Sequence, residues 1–171
     1  MLQQVLVDMD GVLADVYSQL LKFEYEDTGV RREIESLYGK LELDAFPNGN
    51  TYVRSQGFFR TAPVIPGSVE GLKYLNEKYR VVIVSSATEF PRSLMEKLEW
   101  LNEYYPFITW EQMIFCGKKD SVKGDIMIDD HPKNLDFFTG KKIMFTQPHN
   151  VLIPDNGYQR VDGWKQIIEI L

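Results

Sequence analysis

Short apolar runs alternate along this chain with segments that repeat apolar residues at helical spacing. The run Val81-Val82-Ile83-Val84 is unbroken β-branched sequence, which is typical of a strand covered on both faces. Comparable runs lie at 5–7, 113–116, 126–128 and 142–145. Strands that alternate with helices indicate a parallel sheet with helices on both sides. The pattern therefore predicts an α/β fold in three layers.

Helices are predicted in the intervening segments from the spacing of apolar residues and from end signals. A first helix covers 16–26, and Ser68 is a suitable N-cap for a helix that precedes the second strand. The helix after that strand has apolar residues at Leu94, Leu98 and Leu101. The other predicted helices are a short charged one within 30–41, a piece at 52–57 and a closing helix at 164–171.

Composition narrows the classes of function. The 171 residues carry 19 Lys and Arg against 25 Asp and Glu, a net charge of −6. A nucleic-acid polymer is not expected as a partner, because its binding depends on clustered cations. Cys116 is the single cysteine, which excludes a disulfide framework and a thiolate metal cluster. No signal-peptide pattern precedes the first strand and no apolar run approaches membrane-spanning length, so we expect a cytoplasmic protein without a membrane partner.

Side chains that carry chemistry follow three of the predicted strands. Asp8 and Asp10 come directly after the first, Ser85 and Ser86 after the second, and Asp129-Asp130 after the fourth. The carboxyl ends of parallel strands meet at one edge of the sheet, where ligands bind in folds of this class. Each group also has an ordinary interpretation as turn or cap residues. Their occurrence at three strand ends favours a functional site.

Carboxylates brought together in this way favour a bound cation. Two carboxylates about 4 Å apart repel by roughly 4 kcal/mol at a near-surface dielectric. The four acids offer only oxygen ligands, which indicates Mg²⁺ as the cofactor. Lys118, Lys119 and Lys123 are candidates to hold phosphate oxygens beside the ion. Gly117-Lys118-Lys119 lacks the other residues of a nucleotide-binding P-loop, so we interpret the phosphate as the reacting group.

The ordered set Asp8-Met9-Asp10-Gly11-Val12, Ser85, Lys119 and Asp129-Asp130 resembles the four motifs of the haloacid dehalogenase (HAD) superfamily of phosphatases. Residues 7–15 are similar to the opening signature of the 5'(3')-deoxyribonucleotidases. Phe58-Phe59 with 63–67, and the segment 126–132, resemble later landmarks of that family. The resemblance implies a HAD-like Rossmannoid fold, in which a small helical cap is inserted after the first strand of a parallel central sheet.

The resemblance also implies a role for each motif residue. Asp8 would be the nucleophile that forms an aspartyl-phosphate, and Asp10 the general acid and then the general base. Ser85, Ser86 and Lys119 would bind the phosphoryl group.

The metal ligands follow from the same resemblance. Mg²⁺ would be held by a carboxylate oxygen of Asp8, by the main-chain carbonyl of Asp10 and by Asp129. Asp130 would help through a water molecule or by orienting Lys119. The ion and the lysine would neutralise charge on the transferring phosphoryl group.

The segment 16–62 is too long for a simple connection between strand and helix. The resemblance implies that it is a cap on a catalytic core formed by 1–15 and 63–171. A cap would exclude water and select the leaving group. Its aromatic and basic residues are candidates for substrate contact, although packing between cap and core explains the phenylalanines equally well. These candidates are Phe58, Phe59 and Arg60, together with Tyr52 and Arg54.

Three functions remain open. The first is a Mg²⁺-dependent phosphomonoesterase acting on a small phosphomonoester, a deoxyribonucleoside monophosphate. The second keeps the chemistry on a sugar phosphate or another metabolite. Val16 favours this option, because animal members of the family place an aromatic residue there. The third is a receiver-like phosphoacceptor domain, whose acidic pair and phosphoacceptor follow strands in the reverse order. A homodimer is left open, and His131 and His149 are interpreted as structural or solvent-facing.

Overall fold

The computed structural model describes residues 2–171 and has an α/β architecture. A single six-stranded sheet has the order β3-β2-β1-β4-β5-β6, and every pairing in it is parallel. The strands are β1 (Gln4–Val7), β2 (Arg80–Ser85), β3 (Met113–Phe115), β4 (Ile126–Asp129), β5 (Lys141–Phe145) and β6 (Gln159–Val161). Because β1 lies between β2 and β4, the residues that follow these three strands share one edge of the sheet. This arrangement confirms the predicted fold class.

The helices lie between the strands and after the last one. They are α1 (Val16–Thr28), α2 (Glu42–Ala45), α3 (Gly49–Tyr52), α4 (Ser68–Lys78), α5 (Ser93–Tyr104), α6 (Pro132–Leu135) and α7 (Trp164–Ile170). Within residues 2–171, no helix combines the length and the apolar character that crossing a lipid bilayer requires.

Each face of the sheet packs against its own apolar cluster. Successive strand residues point to opposite faces, so Val5 and Val7 of β1 belong to one cluster and Leu6 to the other. The first cluster includes residues of α4, α5 and α7, and the second includes Leu135 of α6. The buried indole of Trp164 also donates a hydrogen bond of 2.8 Å to the carbonyl of Val12. The three layers of the fold are thus closed by packing on both faces of the sheet.

Residues 16–62, here named the insertion, form a separate apolar cluster. Its centre is a group of aromatic rings, in which Phe58 lies 5.0 Å from Phe59 and 5.2 Å from Phe23. Edge-to-face contacts of this kind stabilise beyond the area that they bury. The insertion therefore has an apolar cluster of its own, separate from the two clusters that cover the sheet.

Some local predictions were wrong. Gly67, not Ser68, is the N-cap of α4, and it has a φ of 78°. The hydroxyl of Ser68 instead contacts the carbonyl of Ile65 and the hydroxyl of Tyr105, at 2.6 and 2.7 Å. In the insertion, the helix expected at 52–57 lies earlier, as α3, and the one expected within 30–41 is a single 3-10 turn at Ile34–Leu37. The short edge strand β6 was not predicted.

Candidate active site

The tight turn after β1 places two carboxylates at the edge of the sheet. The amides of Leu13 and Ala14 both donate to the carbonyl of Met9, at 2.8 and 2.9 Å. Gly11 has a φ of 76°, and a Cβ atom there would lie only 2.0 Å from a carboxylate oxygen of Asp130. Only glycine fits this position, because both the backbone conformation and the available space exclude a side chain.

Asp8 lies at the centre of a buried ion-pair group. The ammonium of Lys119 is 2.6 Å from Oδ1 of Asp8 and 2.7 Å from Oδ2 of Asp129. Burial and the neighbouring Asp129 raise the pKa of Asp8 well above its usual range, although Lys119 opposes the shift. Of the three candidate lysines, Lys119 is the buried one, whereas Lys118 and Lys123 are exposed.

The two acids after β4 have different environments. Oδ1 of Asp129 accepts hydrogen bonds from the amide of His131 at 2.9 Å and from the side chain of Asn134 at 3.0 Å. Its Oδ2 is bound by Lys119, so both oxygens are engaged. Oδ1 of Asp130, in contrast, is buried without a hydrogen-bond partner among residues 2–171. Burial raises the pKa of Asp130 to about 6, against the opposing influence of His131.

Lys97 is a site residue that the sequence analysis missed. It projects from α5, its side chain is 2% exposed, and its ammonium lies 2.5 Å from Oδ2 of Asp10. The same ammonium donates to Oγ of Ser85 at 2.9 Å and lies 4.5 Å from the centre of the Phe59 ring. Lys97 therefore joins the first two motifs to the insertion.

A helical pattern in the sequence could have indicated Lys97. The buried residues of α5 are Ser93, Lys97, Trp100 and Leu101, which share one face of the helix. Leu94 and Leu98, which were expected on the buried face with Leu101, are only partly buried. Lys97 precedes Trp100 by three residues and Leu101 by four. This helical spacing places the lysine on the same face as two large apolar side chains, and it is the sequence signal for its burial.

A cavity of about 260 Å³ separates the edge of the sheet from the insertion. Asp8, Asp10, Ser86, Lys97 and Lys119 line its polar side. The insertion contributes a largely apolar wall, which includes Val16, Tyr17, Leu41, Leu43, Val53 and Phe59. The reactive side chains thus face a space that is open to a small molecule.

Three of the five cap candidates, namely Phe58, Phe59 and Arg60, occupy different environments. Phe59 lines the cavity, whereas Phe58 is fully buried inside the insertion and does not line it. The guanidinium of Arg60 pairs with Glu103 and, at 3.5 Å, with Glu99 on α5. Only Phe59 among the three is placed to contact a bound molecule.

The arrangement can hold a divalent cation beside a phosphate. Carboxylate oxygens of Asp8, Asp129 and Asp130 lie within 4.8 Å of one another. A buried group of carboxylate oxygens of this kind suits a hard cation. The ammonium of Lys119 lies within 2.7 Å of two of these carboxylates, and its positive charge matches the negative charge of a phosphoryl group.

The fold is that of the haloacid dehalogenase (HAD) type. The structure is similar to that of the HAD hydrolase YfnB from Bacillus subtilis, solved with bound magnesium, with a TM-score of 0.64, 13% identity and 99% and 98% of the two chains covered. It is also similar to CbbY from Rhodobacter sphaeroides in complex with phosphate, with a TM-score of 0.57, 12% identity and coverage of 98% and 96%. At these identities the likeness shows the fold alone.

Sequence comparison defines the family more narrowly. Residues 2–171 match the family described as 5' nucleotidase, deoxy (pyrimidine), cytosolic type C protein. The chain is 40% identical over 166 residues to the 5'(3')-deoxyribonucleotidase of Bacillus subtilis, covering 95% of each chain. The protein of that name from Bacillus phage SPbeta matches equally well, at 40% identity over 166 residues and 95% of each chain. The chain belongs to this nucleotidase family and is a phosphoric monoester hydrolase, as the motifs predicted.

Proposed function

We propose that this chain is a Mg²⁺-dependent 5'(3')-deoxyribonucleotidase that transfers the phosphoryl group of its substrate to Asp8. The observation that carries the proposal is the position of Asp8, which is held by Lys119 at 2.6 Å and faces a cavity closed by the insertion. The names of its relatives support the choice of substrate.

Asp8 is prepared for attack through one of its two oxygens. Oδ1 accepts a hydrogen bond of 2.6 Å from the amide of Met9 and contacts Lys119. We assign the attack on phosphorus to Oδ2. The new bond joins Oδ2 to phosphorus while the ester oxygen leaves with its electron pair, and an acylphosphate on Asp8 results. A carboxylate, unlike an amide, can form this bond.

Asp10 is the acid and base of the two half-reactions. It lines the cavity, and its side chain is 33% exposed. We propose that Asp10 gives a proton to the leaving ester oxygen and then takes one from the water that hydrolyses the acylphosphate. Lys97 holds its Oδ2, so the carboxylate cannot rotate away from the scissile bond.

The phosphoryl oxygens would be bound by cations and hydroxyls at the edge of the sheet. Because Lys97 donates its hydrogen bond to Oγ of Ser85, the hydroxyl proton of Ser85 remains free to be donated. It would be donated to a phosphoryl oxygen, with Ser86 beside it on the wall of the cavity. Lys119 would supply a positive charge on the opposite side.

Mg²⁺ fits the acidic group, with one change from the role expected of Asp129. Both oxygens of Asp129 are engaged, whereas Oδ1 of Asp130 is buried and has no hydrogen-bond partner within residues 2–171. We therefore assign Asp8 and Asp130 as carboxylate ligands, with the main-chain carbonyl of Asp10. Asp129 positions Lys119 instead. The bound ion supplies charge neutralisation at the phosphoryl group.

The metal assignment is tested by titrating Mg²⁺ into chelator-treated protein. Hydrolysis of an aryl phosphate should stop in chelator and return with Mg²⁺. Asp130→Asn should raise the Mg²⁺ concentration needed for half-maximal activity, whereas Asp129→Asn should lower kcat at saturating Mg²⁺. Activity that persists in chelator, or the opposite behaviour of the two variants, would refute the assignment.

The substrate is tested with a panel of phosphomonoesters. The apolar wall of the cavity favours a flat base and a sugar without the 2'-hydroxyl. We expect a higher kcat/KM for dUMP or dTMP than for UMP, and a higher value for each of these than for glucose 6-phosphate. If sugar phosphates are the better substrates, the nucleotidase proposal fails and the mechanism at Asp8 is retained.

A further inference from the structure

A second group of metal-binding side chains lies next to the acidic site, and the proposed reaction does not use it. Glu42 is the first residue of α2 in the insertion. Its Oε1 is 3.3 Å from Nε2 of His131 and 3.3 Å from Nδ1 of His149, both of which belong to the core. We propose that these three side chains bind a transition-metal ion, Zn²⁺ in particular, and that the ion ties the insertion to the core.

The spacing of the three atoms matches a metal site better than hydrogen bonds. A charge-assisted hydrogen bond is about 2.7–2.9 Å long, which is shorter than both contacts of Glu42. Two ligand atoms of a tetrahedral ion with bonds of about 2.0–2.1 Å lie about 3.3–3.4 Å apart. The oxygen of Glu42 therefore already has, to each imidazole nitrogen, the separation that two ligands of Zn²⁺ require.

The hydrogen bonds of His149 leave the correct nitrogen free. Its Nε2 is 2.9 Å from the main-chain carbonyl of Asp130, which can only accept a hydrogen bond. Nε2 therefore carries a proton, and in the neutral form of the ring the lone pair of Nδ1 faces Glu42. A carbonyl that accepts from the second nitrogen is the usual support of a metal-binding histidine. The hydroxyl of Tyr17, 3.1 Å from Nδ1, can donate to it when no ion is bound.

A positive charge is needed between these groups. The side chain of His149 is 1% exposed and that of Glu42 is 19% exposed, so water screens them little. A lone pair facing a carboxylate at 3.3 Å is repulsive unless a proton or a metal ion lies between them. Protonation of both imidazoles would supply this charge as two separate ion pairs with Glu42, whereas Zn²⁺ would supply it as one ion bound by all three side chains.

The chemistry of the ligands selects the metal. Two imidazoles and one carboxylate suit Zn²⁺, whereas Mg²⁺ prefers oxygen ligands. The rings of His131 and His149 are stacked, with centres 4.2 Å apart. To aim both lone pairs at one ion, His131, which is the more exposed of the two, must turn about its Cβ–Cγ bond. Glu42 and His131 line the cavity, so the fourth position of the ion would face it.

The direct test is nuclear magnetic resonance of the imidazoles in the whole protein, held in excess Mg²⁺ to occupy the acidic site. The chain has two histidines, so both signals can be assigned. Stoichiometric Zn²⁺ should shift both of them, and Co²⁺ in its place should give the visible absorption of a four- or five-coordinate ion. If neither signal moves in excess Zn²⁺, the proposal is wrong.

Variants then locate the site by calorimetry with Zn²⁺ in excess Mg²⁺. Glu42→Gln should bind Zn²⁺ at least tenfold more weakly than the wild type. Asp44→Asn is the matched control, because Asp44 is also on α2 and lines the cavity but lies outside the cluster. It should bind as the wild type does, as should Asp8→Asn. Zn²⁺ binding that is lost in Asp8→Asn and kept in Glu42→Gln would assign the ion to the acidic site and overturn the proposal.

Discussion

The sheet and the insertion meet at one cavity, but they are stabilised in different ways. The sheet has continuous parallel pairing and apolar clusters on both faces. The insertion has one helix of 13 residues, α1, followed by α2 and α3 with 4 residues each. Helices of four residues are not stable by themselves, so packing of aromatic rings and contacts with the core must hold them in place.

One carboxylate on the core holds the chain that returns from the insertion. Glu96 of α5 accepts hydrogen bonds from the amides of Gly57, Phe59 and Arg60, at 2.7, 3.1 and 3.2 Å. The neighbouring residue on the same helix is Lys97, which holds Asp10. Two adjacent residues of α5 thus position both the carboxylate of Asp10 and the segment of the insertion that contains Phe59. We therefore expect the chemistry to depend on the sheet and the choice of substrate on the insertion.

The largest effect is expected for the nucleophile. Asp8→Asn should reduce turnover to background, because an amide cannot form the acylphosphate. Asp44→Asn, which also changes a carboxylate that lines the cavity but from the insertion, should retain most activity. The two variants are compared by their initial rates on an aryl phosphate, and circular dichroism verifies that both are folded. Appreciable turnover by Asp8→Asn would show that Asp8 is not the nucleophile.

A smaller loss of turnover is expected when Lys97, which holds the carboxylate of Asp10, is replaced. Lys97→Met keeps the length of the side chain and removes its charge, so Asp10 loses its 2.5 Å contact. Misplacement of a catalytic group by about 1 Å can cost about 10²-fold in rate, and we expect kcat to fall by this order with little change in KM. Lys133→Met is the control, since Lys133 is an exposed lysine that lines the same cavity. Equal effects of the two substitutions would contradict a positioning role for Lys97.

The sheet could be predicted because its signals are local. The apolar runs that become β1, β2 and β4 are long enough to be recognised, and burial on both faces requires that composition. Strand β6 has the sequence Gln-Arg-Val and begins with an exposed residue, so it carries no such pattern. It is a strand because β5 pairs with it, which is a contact between distant residues.

The candidate site residues that belong to sequence motifs were predicted. The residue that is placed by packing alone was missed. Asp8, the proposed nucleophile, and Lys119 both follow strand ends, and the structure brings the two side chains together. Lys97 lies among charged residues of a helix. Its spacing from Trp100 indicates that its side chain points inward only once Trp100 is known to be buried. In the insertion, Phe58 and Phe59 are adjacent in sequence, and tertiary contacts alone decide which of them faces the cavity.

This adjacent pair tests the role of the insertion more finely. Phe59→Ala removes an aromatic surface from the cavity, and stacking of a base on an aromatic ring contributes about 1–3 kcal/mol. We expect kcat/KM for dUMP or dTMP to fall by the corresponding factor relative to an aryl phosphate. Phe58→Ala should instead cost about 3–5 kcal/mol of unfolding free energy, because the side chain is fully buried. Denaturant unfolding and the kinetic ratio separate the two effects, and a change in base preference with Phe58→Ala alone would contradict the assigned wall.

The smallest effect is expected at the joint between the two regions. Glu96→Gln keeps one acceptor oxygen but removes the charge and one acceptor, so part of the binding to the three amides is lost. Hydrogen bonds to charged groups contribute about 1.5–3 kcal/mol. Because one acceptor remains, we expect the closed position of the insertion to lose about 1–2 kcal/mol of stabilisation. The insertion should then open more often, which would raise KM and speed amide hydrogen exchange at 57–60 while kcat stays near the wild-type value. Glu77→Gln, which changes an exposed acid on α4, is the control. If Glu96→Gln lowers kcat as strongly as Lys97→Met does, the two regions cannot be separated by mutation, and α5 must be treated as one catalytic unit.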